Sequence, residues 1–185
     1  MNSAWMLSSS VRRGSDISGF VVGLFLGSIA TALGLVLAGS LIRAPLPPLV
    51  ASSIVAGAAL VLLLREFGVI SFPLIQNARL VPQFVTGIPF WGPAQFGMEM
   101  GTGMRTYSPT GLPHIVALAI VFLASWPEAL AAGAGFALAR AVMVLSFAAT
   151  REKAEADTAF YTDLPRLTQV FATLFVPPIV FLVVA

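Results

Sequence analysis

The chain has 185 residues, of which 58% are hydrophobic and 10% are charged, and its formal net charge is +2. An ordinary soluble domain carries about 25% charged residues, so this composition excludes a water-soluble fold. The chain contains no cysteine, which excludes disulfides, thiol catalysis and iron–sulfur clusters. Its basic residues stand singly between apolar blocks, so no nucleic-acid partner is expected. The composition predicts an all-α, polytopic transmembrane helix bundle surrounded by the lipid bilayer of the plasma (inner) membrane.

The first two apolar blocks are each long enough to cross a membrane. Residues 17–42 contain no ionisable side chain over 26 positions, and residues 44–64 contain none over 21. A spanning helix needs about 20 such residues. Arg43 and the following prolines predict a tight hairpin between the two helices. Residues 1–15 are polar and form a cytoplasmic N-terminal segment, which leaves 16–185 as a single transmembrane helical domain.

The third apolar region, residues 84–124, is broken by many prolines and glycines. A continuous helix of this length would be about 61 Å long, twice the thickness of the hydrocarbon core. Two interpretations are open: two spans meet at residues 105–110, or a re-entrant hairpin precedes one span. The bundle therefore has five to six apolar segments, with one region that is broken by proline and glycine.

The remaining blocks are separated by a polar stretch. Trp126, Pro127 and Glu128 mark the start of a fourth block, since proline and an acidic residue favour the first turn of a helix. Residues 151–163 carry several charges and are interpreted as a loop. The last block, residues 167–185, ends the chain.

Loop charges favour five crossings over six. With five, seven arginines and lysines share the side of the N-terminus and Arg43 lies alone on the other side, with Arg105 and Arg140 inside the protein. With six crossings, the arginines and lysines divide four against five, so they favour neither orientation of the chain in the membrane. Because cytoplasmic loops are enriched in positive charge, the first arrangement is preferred, with a cytoplasmic N-terminus and an external C-terminus.

Four ionisable residues inside apolar segments form a candidate polar site: Glu99, Arg105, His114 and Arg140. Charged side chains at bilayer depth are costly unless they are paired or hydrated. A helix broken at its glycines would let the four converge on one cavity that carries an ion, a proton or a substrate. The alternative is a Glu–Arg pair that only fixes how helices pack.

Gly19, Gly23 and Gly27 have the small-xxx-small spacing that lets helices approach closely in lipid, and they form a candidate helix-packing face. Such a face serves either internal packing or the docking of another subunit. Few polar residues tie this helix to the rest of the chain, so we expect the face to line an interface with another membrane subunit or a second copy.

Residues 106–115, Thr-Tyr-Ser-Pro-Thr-Gly-Leu-Pro-His-Ile, resemble the Ser-Pro-Cys-x-x-Pro break of the CcdA/DsbD family, whose membrane domain carries thiol electrons across the inner membrane. The glycine-rich run 97–103 and the segment 133–140 are also similar to that family, so the resemblance covers residues 65–140. Members use one cysteine in each half of the fold, whereas Thr110 stands at the matching position here. The chain is thus expected to be a cysteine-free relative that cannot relay thiol electrons.

The sequence contains no phosphate loop, activated nucleophile or cofactor fingerprint, so an enzyme is not expected and any cofactor is unknown. The preferred hypothesis is a non-catalytic membrane subunit of a larger complex or transport system. The alternative is a self-contained small transporter or channel that uses the polar site at the broken helix. A membrane redox component with haem or quinone is a third hypothesis, for which the single histidine, His114, gives little support.

Overall fold

The computed structural model of the protein describes residues 14–74, 88–103, 110–150 and 154–184. These ranges form six α-helices and contain no β-strand. In chain order the helices are α1 (Gly14–Arg43), α2 (Pro48–Glu66), α3 (Trp91–Gly101), α4 (Leu112–Phe122), α5 (Trp126–Thr150) and α6 (Ala154–Val184). The all-α class predicted from the composition is confirmed.

Four helices of the described chain contain segments long and apolar enough to cross a membrane, with mean hydropathy from 1.4 to 2.4. These segments are Asp16–Arg43, Pro48–Glu66, Trp126–Ser146 and Thr162–Phe181. In a bilayer such helices satisfy their own backbone hydrogen bonds, which water cannot do there. The fold therefore has the elements that a multi-pass membrane protein requires.

Local sequence signals set where the long helices begin. Pro48 occupies the first position of α2, where its missing N–H costs nothing. At the start of α5, the backbone N–H and the hydroxyl of Ser125 each lie 2.7 Å from Glu128 Oε2. The bond from the Ser125 N–H to the glutamate side chain is the half of a capping box that is expected when glutamate follows a serine three residues later at a helix start. The predicted start of the fourth block is confirmed.

The polar stretch 151–163 is not the loop that the sequence indicated. Helix α6 begins at Ala154 and continues through this stretch without interruption to Val184. Alanine is the strongest helix former, and acidic residues are favoured in a first turn, so the charged stretch forms the solvent-compatible start of the last helix. The charges of this stretch therefore did not exclude a helix.

The broken region contains two short helices, α3 and α4, each of 11 residues. Each is about 16 Å long, roughly half of the 30 Å hydrocarbon core. Neither is long enough to cross a membrane by itself, so the two described helices of this region are not two full spans. The choice of five crossings stays a prediction from the loop charges.

A five-crossing arrangement predicts which loops face the outside of the cell. Because the chain has no cysteine, single cysteines report accessibility without background. Cysteines at Ser9, which lies outside the described residues, and at Thr158 should be protected from an impermeant thiol reagent in intact cells, whereas one at Ala44 should react. All three should react after permeabilisation. Labelling of the cysteine at position 158 in intact cells would contradict this topology.

The described residues fall into two compact units. The first unit contains residues 14–31, 88–103, 130–150 and 154–157. The second contains residues 32–74, 110–129 and 158–184. Each unit is therefore assembled from separate stretches of the sequence.

The first unit is built on close contact between α1 and α3. A Cβ added at Gly23 would overlap the carbonyl oxygen of Ala94, and one added at Gly97 would overlap that of Phe20. Gly19 and Gly27 face the backbones of Phe90 and Met98 in the same way. The residue numbers of the paired positions increase together along both helices, so α1 and α3 are parallel. Only glycine permits backbones this close.

The glycine face formed by Gly19, Gly23 and Gly27 is therefore covered by this chain's own helix α3. It cannot also dock another subunit, and the expectation that it lines an intersubunit interface is wrong. The sequence pattern indicated close approach correctly, because Gly97 on α3 supplies the matching small residue. What the pattern lacked was the identity of the partner helix.

The second unit is centred on α2 and α4, which pack against each other. Its buried core consists of Ala59, Leu62, Leu74, Ile115 and Ile179. The far end of α4 meets α1, where a Cβ at Gly39 would overlap the carbonyl oxygen of Val121. This packing holds α4 in place and positions the polar cluster at its start.

Candidate functional site

The C-terminal end of α3 is fully hydrogen-bonded. The last four carbonyls of a helix have no partner within it. Here Thr102 satisfies two of them, through its backbone N–H to Met98 and its hydroxyl to Glu99, at 3.1 and 2.7 Å. The N–H of Gly103, which has φ +68°, lies 3.1 Å from the oxygen of Met100. The left-handed backbone at Gly103 then ends the helix.

Two side chains from other helices complete this end of α3. Ser28 Oγ donates to the carbonyl oxygen of Gly101 at 3.0 Å, and the serine is buried. Arg140 Nη1 lies 3.4 Å from the carbonyl oxygen of Met100, and its guanidinium stacks 4.8 Å from the ring centre of Phe136. A cation at a helix C-terminus is stabilised by the negative end of the helix dipole. Arg140 therefore neutralises the end of this half-length helix.

The N-terminal end of α4 carries the opposite charge. Glu66, the last residue of α2, accepts a hydrogen bond from the backbone N–H of Gly111 at 2.8 Å. Gly111 directly precedes α4, and the second residue of that helix, Pro113, has no N–H to satisfy. A carboxylate is favoured at a helix N-terminus, where the dipole is positive. Space is tight, since a Cβ at Gly111 would lie 3.0 Å from Leu62 Cδ2.

Glu66 is buried, with its side chain only 3% exposed, and it pairs with its neighbour Arg65. Arg65 Nη1 lies 2.8 Å from Glu66 Oε1, the same oxygen that accepts from Gly111. Arg65 is also held independently of this pair. Its Nε donates to the carbonyl oxygen of Phe72 at 2.9 Å, and its guanidinium lies 5.7 Å from the ring centre of that residue. The result is a buried carboxylate with two donors on one oxygen.

The four residues of the predicted polar site are distributed as follows. Glu99 and Arg140 belong to the first unit, both half-buried, and Arg140 contacts the residue after Glu99. His114 is half-buried on the first turn of α4, in the second unit. Arg105 lies outside the described residues. The convergence of all four on one cavity stays a prediction, whereas the placement of Arg140 beside the Glu99 segment is observed.

Sequence reasoning missed Glu66. It was interpreted as the end of the second apolar block, next to Arg65, and not as a candidate site residue. A signal was nevertheless present: residues 67–74, Phe-Gly-Val-Ile-Ser-Phe-Pro-Leu, are again mostly apolar, so Glu66 and Arg65 are flanked by apolar residues on both sides. An isolated acidic residue in such surroundings is a candidate for burial rather than for a water-exposed loop.

No family model matches the chain, and no curated protein or solved structure matches it. The resemblance of residues 65–140 to the CcdA/DsbD family therefore stays a prediction from the sequence motifs.

Proposed function

We propose that this protein is a multi-pass membrane transport protein, and that the Glu66 carboxylate at the start of α4 is its binding site for a small cargo. The supporting observation is a buried carboxylate, 3% exposed, at the end of a half-length helix. Transporters commonly build their sites from discontinuous helices whose ends provide charge-stabilising backbone groups. Binding and release at such a site require no covalent chemistry, which agrees with the non-catalytic expectation from the sequence.

The depth of Glu66 supports this proposal. At the far end of α4, Arg43 Nη1 contacts the carbonyl oxygen of Ala124 at 2.6 Å, and the exposed Ser125–Glu128 cap follows. This polar end is suited to a membrane surface. Gly111 lies no more than about 20 Å along α4 from Ala124, less than the ~30 Å of the hydrocarbon core. Glu66 is bonded to Gly111 and ends the 19-residue span of α2, so it lies toward the side of the apolar layer that is opposite to Ala124.

The residues that follow Glu66 give independent support. Phe67, Val69 and Ile70 are 44%, 67% and 36% exposed. Three exposed apolar side chains within four residues suit lipid rather than water. A carboxylate at that level costs several kcal/mol unless it has a partner, so intramembrane carboxylates are usually kept for a function. Arg65 is the partner here.

The experiment asks whether water reaches the start of α4. Thr110 is half-buried and directly precedes Gly111. A single cysteine at Thr110 should react with a hydrophilic, membrane-impermeant thiol reagent in proteoliposomes, because a transport site must open to water on at least one side. Leu60, which is 59% exposed on α2, gives the matched control. A cysteine there should resist the hydrophilic reagent and react with an apolar maleimide, since it faces lipid.

An unreactive Thr110→Cys variant, in a preparation where Ala44→Cys reacts fully, would contradict the transport proposal. It would mean that the Glu66 cluster is sealed and holds the fold only. The chain would then fit a second function, a non-catalytic subunit of a membrane complex.

One observation favours that second function. Gln169 is exposed on α6, beside Val170 and Phe171, which are 54% and 57% exposed. A side-chain amide on an apolar helix surface is better satisfied by a neighbouring helix than by lipid. This surface, unlike the glycine face of α1, is not covered by the described part of the chain.

A further inference from the structure

Resting on the transport function proposed above, we infer that the cargo taken up at Glu66 is a proton. The described groups around the carboxylate oxygen are hydrogen-bond donors, namely Arg65 Nη1 and the N–H of Gly111, each at 2.8 Å. A metal cation needs several oxygen ligands and would be repelled by a guanidinium at this distance. A proton needs only one lone pair, which the second carboxylate oxygen, Oε2, can provide.

The second anchor of Arg65 makes the two protonation states compatible with one structure. When Glu66 is ionised, the Arg65–Glu66 pair has no net charge. When Glu66 takes up a proton, Arg65 keeps its hydrogen bond to the carbonyl oxygen of Phe72 at 2.9 Å and its position near that ring. The site can therefore carry one positive charge without releasing the arginine into an apolar environment.

Protonation also changes how α4 is held. An ionised carboxylate bonds the Gly111 N–H and interacts with the helix dipole, and a charge-assisted hydrogen bond is roughly twice as strong as a neutral one. A neutral carboxyl loses about half of that hydrogen-bond strength, together with its charge interaction with the dipole. Proton uptake thus weakens the contact that connects the end of α2 to the start of α4, and this links proton binding to movement of the half-length helix.

Within the described residues, α2 and α4 each carry one charged or titratable group besides Glu66. On α2 the neighbour is Arg65, and on α4 it is His114, one turn beyond Gly111. The segment after α2 contributes the carbonyl of Phe72, and α6 contributes the apolar Phe175 and Ile179 to the same core. His114 is therefore the other group whose role in proton flux must be separated from that of Glu66.

The test measures proton flux in proteoliposomes of phosphatidylethanolamine and phosphatidylglycerol with a pH-sensitive dye trapped inside. A potassium gradient with valinomycin supplies an inside-negative potential. The wild-type protein should acidify the lumen at least about tenfold faster than protein-free vesicles. Glu66→Gln should reduce the rate to that of empty vesicles, because an amide cannot take up the proton.

Two control variants keep the result specific. Glu128→Gln changes an exposed carboxylate at the start of α5 and should keep the wild-type rate. His114→Gln should also keep the flux if Glu66 is the proton site. Loss of flux in His114→Gln, with flux kept in Glu66→Gln, would overturn the assignment.

A measurement on the wild-type protein covers the case in which Glu66→Gln does not fold. An apolar carbodiimide reacts with protonated carboxyls in apolar surroundings. It should modify Glu66, as located by peptide mass spectrometry, and stop the flux, with faster modification at lower pH. Modification elsewhere without inhibition would contradict the inference.

The outcomes separate the inference from the proposed function. If Thr110→Cys reacts with the hydrophilic reagent but the wild type conducts no protons, the transport function stands and the proton is wrong. If Thr110→Cys does not react with the hydrophilic reagent, the transport proposal is contradicted, and the proton inference, which rests on it, is contradicted as well.

Discussion

Gly23→Leu is expected to prevent formation of a stable protein, with loss of the monodisperse peak on gel filtration in mild detergent. A side chain at this position meets the backbone of Ala94, which cannot rotate away as a flexible side chain would. Overpacking a core typically lowers the free energy of unfolding by about 1–3 kcal/mol. A clash with backbone is expected to cost at least the upper value of this range. A native stability of about 5–15 kcal/mol leaves little reserve for this.

Gly34→Leu is the matched control, because Gly34 lies on the same helix and a Cβ there has no neighbour within 4 Å. Its leucine enters open space and improves helix propensity by up to about 1 kcal/mol. The variant should therefore elute and unfold like the wild type. Equal behaviour of the two variants would show that α1 does not pack on α3 through Gly23. Misassembly in Gly34→Leu alone would show instead that the outer face of α1 contacts a partner.

The second large effect is expected from Glu66→Leu. The change leaves Arg65, whose side chain is 22% exposed, without its carboxylate, and it leaves the N–H of Gly111 without its acceptor. Breaking one partner of a buried ion pair costs about 3 kcal/mol or more. The midpoint of thermal unfolding in detergent should fall accordingly, by far more than in Glu128→Leu, which removes an exposed carboxylate.

A double-mutant cycle with Arg65→Met separates the ion pair from the helix-end contact. The double variant removes both charges, so it should recover much of the loss caused by Glu66→Leu, with a coupling of about 2 kcal/mol. The recovery should stay incomplete, because the Gly111 N–H still lacks an acceptor, which costs about 1–3 kcal/mol. Strictly additive losses would mean that Arg65 and Glu66 do not stabilise each other.

Several features of this protein could be predicted from its sequence because they depend on local physics. The long apolar blocks indicate helices, since an apolar layer accepts a backbone only when its hydrogen bonds are internal. The Ser125–Glu128 pairing follows from residues three apart at a helix start. The proline- and glycine-rich region 84–124 was correctly separated from the continuous spans, because those residues interrupt helices and the length exceeds a bilayer.

Tertiary structure decided what the sequence left open, and the physical reason is the same in each case. The spacing of Gly19, Gly23 and Gly27 determined that another backbone comes close, but a small residue carries no information about which helix that is. The residues around an acidic side chain at the end of an apolar block do not show whether that side chain is exposed to water or buried in protein. Glu66 became a buried carboxylate only because α4, 45 positions further along the chain, places the N–H of Gly111 against it. The sequence by itself determined a bundle of apolar helices with one broken region, whereas contacts between distant segments determined which charges the bundle encloses.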